Sequence, residues 1–148
     1  MIYSFSRLLP AAGFAATALV ASVFVQGLLP ADTVFGLFLP LNMGLGALLG
    51  FVFVGRRAGQ GYGVALGVGL TAGVLLLFWA VALQALWAVF EKSLGGIFPG
   101  LNSALSDIAD HAIAYAGLVT QPYVLAVVGG GGVLCALLAE AMVQVFGR

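Results

Sequence analysis

Few side chains in this sequence carry chemistry, and most of those few stand alone. Glu140 interrupts the apolar run "VLCALLAEAMVQVF". It lies about one and a half turns from the end of the helix that this run predicts. A carboxylate at the centre of a bilayer costs about 2.5–3.5 kcal/mol on insertion scales, and less toward the interface. Either it snorkels to the boundary, or it meets a cation. The cations that suit are Arg56 and Arg57, adjacent in "GRRAG". The sharper expectation is therefore a clamp in which Glu140 meets one of them at the mouth of a helix bundle. A proton relay would want a second carboxylate inside the spans, and none accompanies Glu140. The arginine pair has its own chemistry, since guanidinium groups suit oxyanions and lipid phosphate. It equally suits a topology marker touching anionic head groups.

The remaining candidates point away from catalysis. "GQGYG" follows the arginines but lacks the GxGxxG spacing, a preceding strand or a following GK[ST], so it reads as a tight loop rather than a phosphate cradle. His111 has Asp107 four residues before it and Asp110 beside it, a poor divalent site that reads better as a solvated helix face. The lone cysteine, Cys135, excludes an internal disulfide and any CxxC motif, and reads as a small packing residue. No nucleophile has a matching base. Trp79 and Gln84 fall inside the third apolar segment and are expected to face protein, with Gln84 bonding across to another helix. A quinone or pigment contact through Phe78 and Trp79 is the alternative to packing; otherwise no cofactor and no metal are expected.

These residues sit in a chain built for lipid. Charged residues make up 7% of the sequence and hydrophobic ones 63%, too few charges to cover a soluble fold of 148 residues. The formal net charge is zero, so no basic field draws nucleic acid. Four segments are predicted to cross the bilayer: 9–29, 39–55, 63–90 and 122–146. The first gives roughly 31 Å of helix, close to the hydrocarbon thickness. It is read as a retained span, not a signal peptide, because Pro10 interrupts the would-be signal core and the apolar run continues to Leu29. All five prolines are placed at element boundaries: Pro10 and Pro30 around the first span, Pro40, Pro99 and Pro122 at later helix starts.

An even number of spans puts both termini on one side with the arginine loop. Arg7, Arg56, Arg57 and Arg148 then share that side, against Lys92 with Asp32, Glu91, Asp107 and Asp110 on the other. By the positive-inside rule the arginine side is cytoplasmic. Tyr3 and Tyr62 would mark the inner boundary, and Trp87, Phe90 and Tyr123 the outer one. Segment 101–119 repeats apolar residues at helical spacing, with Ser103, Ser106, Asp107 and Asp110 opposite and Ile113 as a misfit. That predicts an amphipathic helix lying flat on the outer surface or docked on a partner. The stretch 33–39 is too short to span and is expected to dip into the same interface.

Glycine is ordered rather than scattered. Gly46 and Gly50, Gly63 and Gly67, and Gly69 and Gly73 are each four apart, the spacing that lets helices approach closely in lipid. Some of these faces are expected to be turned toward a partner. The run 129–132 predicts a flexible or closely approached point.

Taken in order, "VGRRAG" (54–59), "GLT" (69–71), "FW" (78–79), Gln84, "SL" (93–94) and "LLAEA" (137–141) resemble the TrgA family, small bacterial inner-membrane proteins named for an association with tellurite resistance. The resemblance covers about residues 41–143. It singles out Arg56, Arg57, Trp79, Gln84 and Glu140, and supplies no catalytic residue. Where the family pattern has a basic run after "SL", this chain reads "GGIFPG". With one cysteine and no positive lining in the spans, neither thiol reduction nor passage of an oxyanion is expected. The expectation is a non-catalytic accessory subunit in the bacterial inner membrane, packed against lipids and a larger respiratory or photosynthetic complex. The alternative is a homo-oligomeric transporter or channel for a small ion or oxyanion.

Overall fold

The computed structural model describes residues 2–31, 36–96 and 100–146, with side chains from Arg7 onward. Arg148, Asp32, Pro99, the Tyr3 ring and residues 33–35 lie outside the described residues, and Phe38 and Leu39 of the 33–39 stretch already belong to the helix that follows it. The described chain is helical, in five α-helices: α1 (Ile2–Leu28), α2 (Phe38–Leu49), α3 (Tyr62–Leu94), α4 (Leu101–Val119) and α5 (Pro122–Phe146). A short π-helical stretch, Gly50–Val54, continues α2 without a break. Three helical segments are long and apolar enough to cross a membrane: Arg7–Leu28, Tyr62–Leu94 and Pro122–Phe146. The run Phe38–Val54 is apolar but shorter.

Contacts along the helices fix an up-and-down bundle. α2 runs antiparallel to α1: Asn42 meets Ser22, Gly46 faces Phe14, and Gly50 faces Pro10. Gly55, just beyond, packs on Arg7. α5 runs antiparallel to α3, with Gly69 on Gly132 and Gly73 on Val128. The start of α1, the turn 55–61 and the end of α5 therefore share one end of the bundle, called here the arginine end. Lys92 and Asp107 lie at the opposite, lysine end.

The core is made of small side chains. Ala18, Ala21, Ala65, Ala72, Ala136 and Ala139 are buried with Val54, Val124 and Val128 around Phe14. Larger apolar residues such as Leu70, Val74, Phe78, Leu86, Leu134 and Leu138 point outward. This inversion of a soluble protein's pattern is compatible with a membrane, in which the surroundings are as apolar as leucine and close backbone approach supplies the packing.

Several expectations are corrected. Pro10 does not open a helix; it lies inside α1, which starts eight residues earlier. Proline removes one backbone hydrogen bond, and helices in apolar surroundings accommodate it where a neighbour packs tightly. Here Pro10 is buried, and the glycine at 50 lets α2 close over its carbonyl. Pro40 and Pro122 fall in first helical turns, where the missing N–H is harmless. α3 continues past residue 90 to Leu94. α4 has the predicted bounds. It turns back along the end of α3, where Lys92 Nζ pairs with Asp107 at 2.6 Å and Tyr115 stacks on Phe38 with centroids 6.5 Å apart. Ala104, Ile108, Ala112, Tyr115, Ala116 and Val119 are half-buried along this contact. Leu101, Leu105 and Ile113 remain exposed, and no α4 residue is fully buried.

Candidate functional site

The turn joining the π-helical stretch to α3 gathers the chain's densest polar contacts. Gly59 and Gly61 both have positive φ, 97° and 103°, where a side chain would strain the backbone. This path turns successive N–H groups toward one point, a concavity of the kind that holds anions. The anion is the chain's own. Gly59 N–H donates to Glu140 Oε2 at 2.5 Å and Gly61 N–H to Oε1 at 2.8 Å, while Gln144 Nε2, one turn on, donates to Oε1 at 2.9 Å. Glu140 is 1% exposed. Its carboxylate therefore fastens the end of α5 to the turn before α3.

Glu140 was expected either to snorkel or to clamp an arginine, and it does neither. No ion pair joins it to Arg56 or Arg57. The two guanidinium groups stay exposed, with Arg57 Cζ 4.0 Å over the Phe53 ring. The physical reason is distance along the turn: Arg56 and Arg57 leave the bundle before the chain folds back, and the amides at 59 and 61 arrive first. The sequence showed Gly59 and Gly61 only as part of a tight loop, with nothing to tie them to an acid about eighty positions away.

A second polar cluster lies toward the lysine end. Asn42 Nδ2 donates to Ser22 Oγ at 3.0 Å, and Gln84 Nε2 reaches Asn42 Oδ1 at 3.4 Å, all three buried. Gln84 thus bonds across to another helix, as expected, and ties α3 to the α1–α2 pair. Ser22 and Asn42 were not singled out in the sequence, although an asparagine in an apolar segment already asks for a partner. Beside the cluster is a cavity of about 30 Å³, bounded also by Phe38, Tyr115 and Val128. That is room for a water molecule, far below the 300–1,000 Å³ of small-molecule pockets. Burial, with the Glu91 carboxylate adding to it, pushes the Tyr115 hydroxyl above its ordinary value, so the ring stays neutral.

Trp79, expected to face protein, is 47% exposed and forms an edge-to-face pair with the equally outward Phe78. Helix phase explains Phe78, which falls off the buried stripe of α3 through Ala72, Leu76 and Gln84; Trp79, three residues on from Leu76, lies at the edge of that stripe, where no neighbouring side chain among the described residues covers it fully. The glycine pairs divide. Gly46 with Gly50 and Gly69 with Gly73 sit against a neighbouring helix, whereas Gly63 and Gly67 have nothing within 4 Å of where a Cβ would stand. The run 129–132 divides too: Gly131 lies against Thr17 and Gly132 against Gly69, whereas Gly129 and Gly130 face open space. Cys135 packs on Gly13 and touches Thr17 Oγ1 at 3.9 Å. His111 is exposed, and among the described residues no three histidine, cysteine or acidic side chains gather as metal ligands.

No family model, no curated protein and no solved structure matches this chain.

Proposed function

We propose that this chain is a non-catalytic accessory subunit of a larger membrane complex. The observation that carries the reading is the outward face of α3. Gly63 and Gly67 are open there, and Leu66, Leu70, Val74 and Phe78 are exposed beside or above them. Two glycine pairs of the same spacing already seat helices within the chain, so the third offers a groove of the same kind to a helix from outside. The polar groups inside the bundle are meanwhile committed to one another: no buried side-chain nitrogen or oxygen among the described residues lacks a hydrogen-bond partner. Such an arrangement holds helices in register and leaves little for catalysis.

In this reading the bundle crosses a bacterial inner membrane four times, both termini and the arginine turn being cytoplasmic. The run Phe38–Val54 is the shortest crossing, roughly 25 Å, and follows α1 from Ser22 down to Arg7. α3, at roughly 50 Å, exceeds the hydrocarbon, and α4 flanks the part that projects on the outer side. The arginine bias and the resemblance to the TrgA family support the orientation and the membrane. A partner that converts energy, respiratory or photosynthetic, fits a small bundle without a site of its own, and a tellurite phenotype would then be indirect.

The test is co-purification in mild detergent followed by mass spectrometry of what accompanies the chain. A stoichiometric set of larger membrane subunits, lost in a Gly63→Leu/Gly67→Leu variant that still folds, is the expected result. Migration as a lone monomer under every gentle condition would overturn it, and self-association alone would point to the transporter reading instead.

A further inference from the structure

The end of the bundle that Glu140 fastens carries arginines that no acidic side chain among the described residues pairs with. Arg7 packs against Gly55: a Cβ there would stand 2.9 Å from Arg7 Cγ and 3.0 Å from its Cα. That brings Arg7 beside Arg56 and Arg57, although forty-nine positions separate Arg7 from Arg56. The π-helical stretch supplies two rings on which guanidinium groups rest, Arg7 Cζ 6.0 Å from the Phe51 centroid and Arg57 Cζ 4.0 Å from that of Phe53; two residues apart, the rings point to different sides of the stretch, so the arginines rim the end of the bundle. Such stacking orients an arginine while leaving its N–H fork free.

Among the described residues no acidic side chain forms an ion pair at this end. Glu91, Asp107 and Asp110 belong to the lysine end of α3 and to α4, and Asp32 lies outside the described residues. Glu140 is near, but both its oxygens are occupied by backbone amides. Had Glu140 met an arginine, the cluster would be partly quenched. Held by Gly59 and Gly61, it fixes the turn and leaves the cations unpaired. The neighbouring surface is apolar, with Phe51 and Val52 exposed.

We propose that Arg7, Arg56 and Arg57 form a basic rim that holds the phosphodiesters of anionic membrane lipids. The charge suits a phosphate, and the exposed Phe51 and Val52 suit an acyl chain rather than the water shell of a soluble anion. Glu140 acts as a positioning residue for the turn. The proposal rests on the membrane-embedded reading above, and on the arginine end lying at head-group level.

The purified full chain in mild non-ionic detergent is offered phosphatidylglycerol and phosphatidylcholine at equal concentration, and retained lipid is counted by native mass spectrometry. Phosphatidylglycerol is expected to be retained preferentially. Each of Arg7→Gln, Arg56→Gln and Arg57→Gln should lower that preference about fivefold, and Lys92→Gln at the other end should leave it unchanged. Glu140→Gln should lower it without removing a cation, a result that a site of loose surface charges would not give. If a glutamine variant aggregates, the wild-type chain answers by salt: the preference should fall as salt screens the contact. Equal retention of both lipids, or a preference indifferent to all three arginines, would overturn the site. Displacement of phosphatidylglycerol by inorganic phosphate at like concentration would overturn the lipid assignment in favour of a soluble anion. Flotation with phosphatidylcholine vesicles separates the two levels: failure to float refutes the embedding, whereas floating without lipid preference refutes the site alone.

Discussion

Glu140→Gln tests the central contact of the bundle. The carboxylate accepts from two backbone amides and from Gln144, with distances of 2.5–2.9 Å. Hydrogen bonds to a charged group contribute about 1.5–3 kcal/mol each. Glutamine keeps one acceptor oxygen and replaces the other with an NH2 that confronts the Gly59 or Gly61 N–H. One charge-assisted bond is lost and one buried donor is left facing a donor, a gross cost of about 3–5 kcal/mol. Removing a buried charge returns part of this, at most the 2.5–3.5 kcal/mol of a mid-bilayer carboxylate and less near the boundary. A net loss of about 1–3 kcal/mol remains, which for a chain of this size lowers the melting midpoint by about 2–10 °C. The assay is thermal unfolding in a zwitterionic detergent, read by circular dichroism and by loss of monodispersity. The same scan on Arg57→Gln and on the double variant discriminates the mechanism. Because no ion pair links Glu140 to Arg57, the two effects should add to within about 0.5 kcal/mol. A melting profile unchanged by Glu140→Gln would refute the backbone lock, and strong coupling between Glu140 and Arg57 would restore the arginine clamp.

Four further outcomes follow from the contacts. Gly50→Leu should prevent stable folding, because even a Cβ there would collide with the Pro10 carbonyl. Gly63→Ala and Gly67→Ala, with open space around them, should instead raise helix stability by up to about 1 kcal/mol each in the isolated chain, seen as a higher midpoint. Asn42→Ala should cost about 1–3 kcal/mol, since it leaves Ser22 and Gln84 without their shared partner, and the midpoint should drop accordingly. Lys92→Gln removes a half-exposed ion pair and should shift stability by no more than about 1 kcal/mol, a shift that vanishes when the comparison is made in high salt.

By itself the sequence determined the solvent and the elements. Scarcity of charge demanded apolar surroundings, and the periodicity of 101–119 and the proline at 122 set the bounds of α4 and the start of α5. Glycines four apart announced close helix crossings. These are local properties, carried by a few consecutive residues, so they survive without knowledge of what packs on what. The tertiary structure alone decided the partners. Glu140 and the amides of Gly59 and Gly61 are about eighty positions apart, and both an arginine and a backbone turn could have met the carboxylate. The choice depended on where the chain turned, through two positive-φ glycines whose geometry no spacing rule records. The same holds for Trp79, whose apolar ring suits a core or a lipid face equally. Only the way α5 and the α1–α2 pair pack on α3 left it uncovered. It also holds for Gly63 and Gly67, equal in spacing to the pairs that seat helices, yet left open because no helix of this chain reaches them.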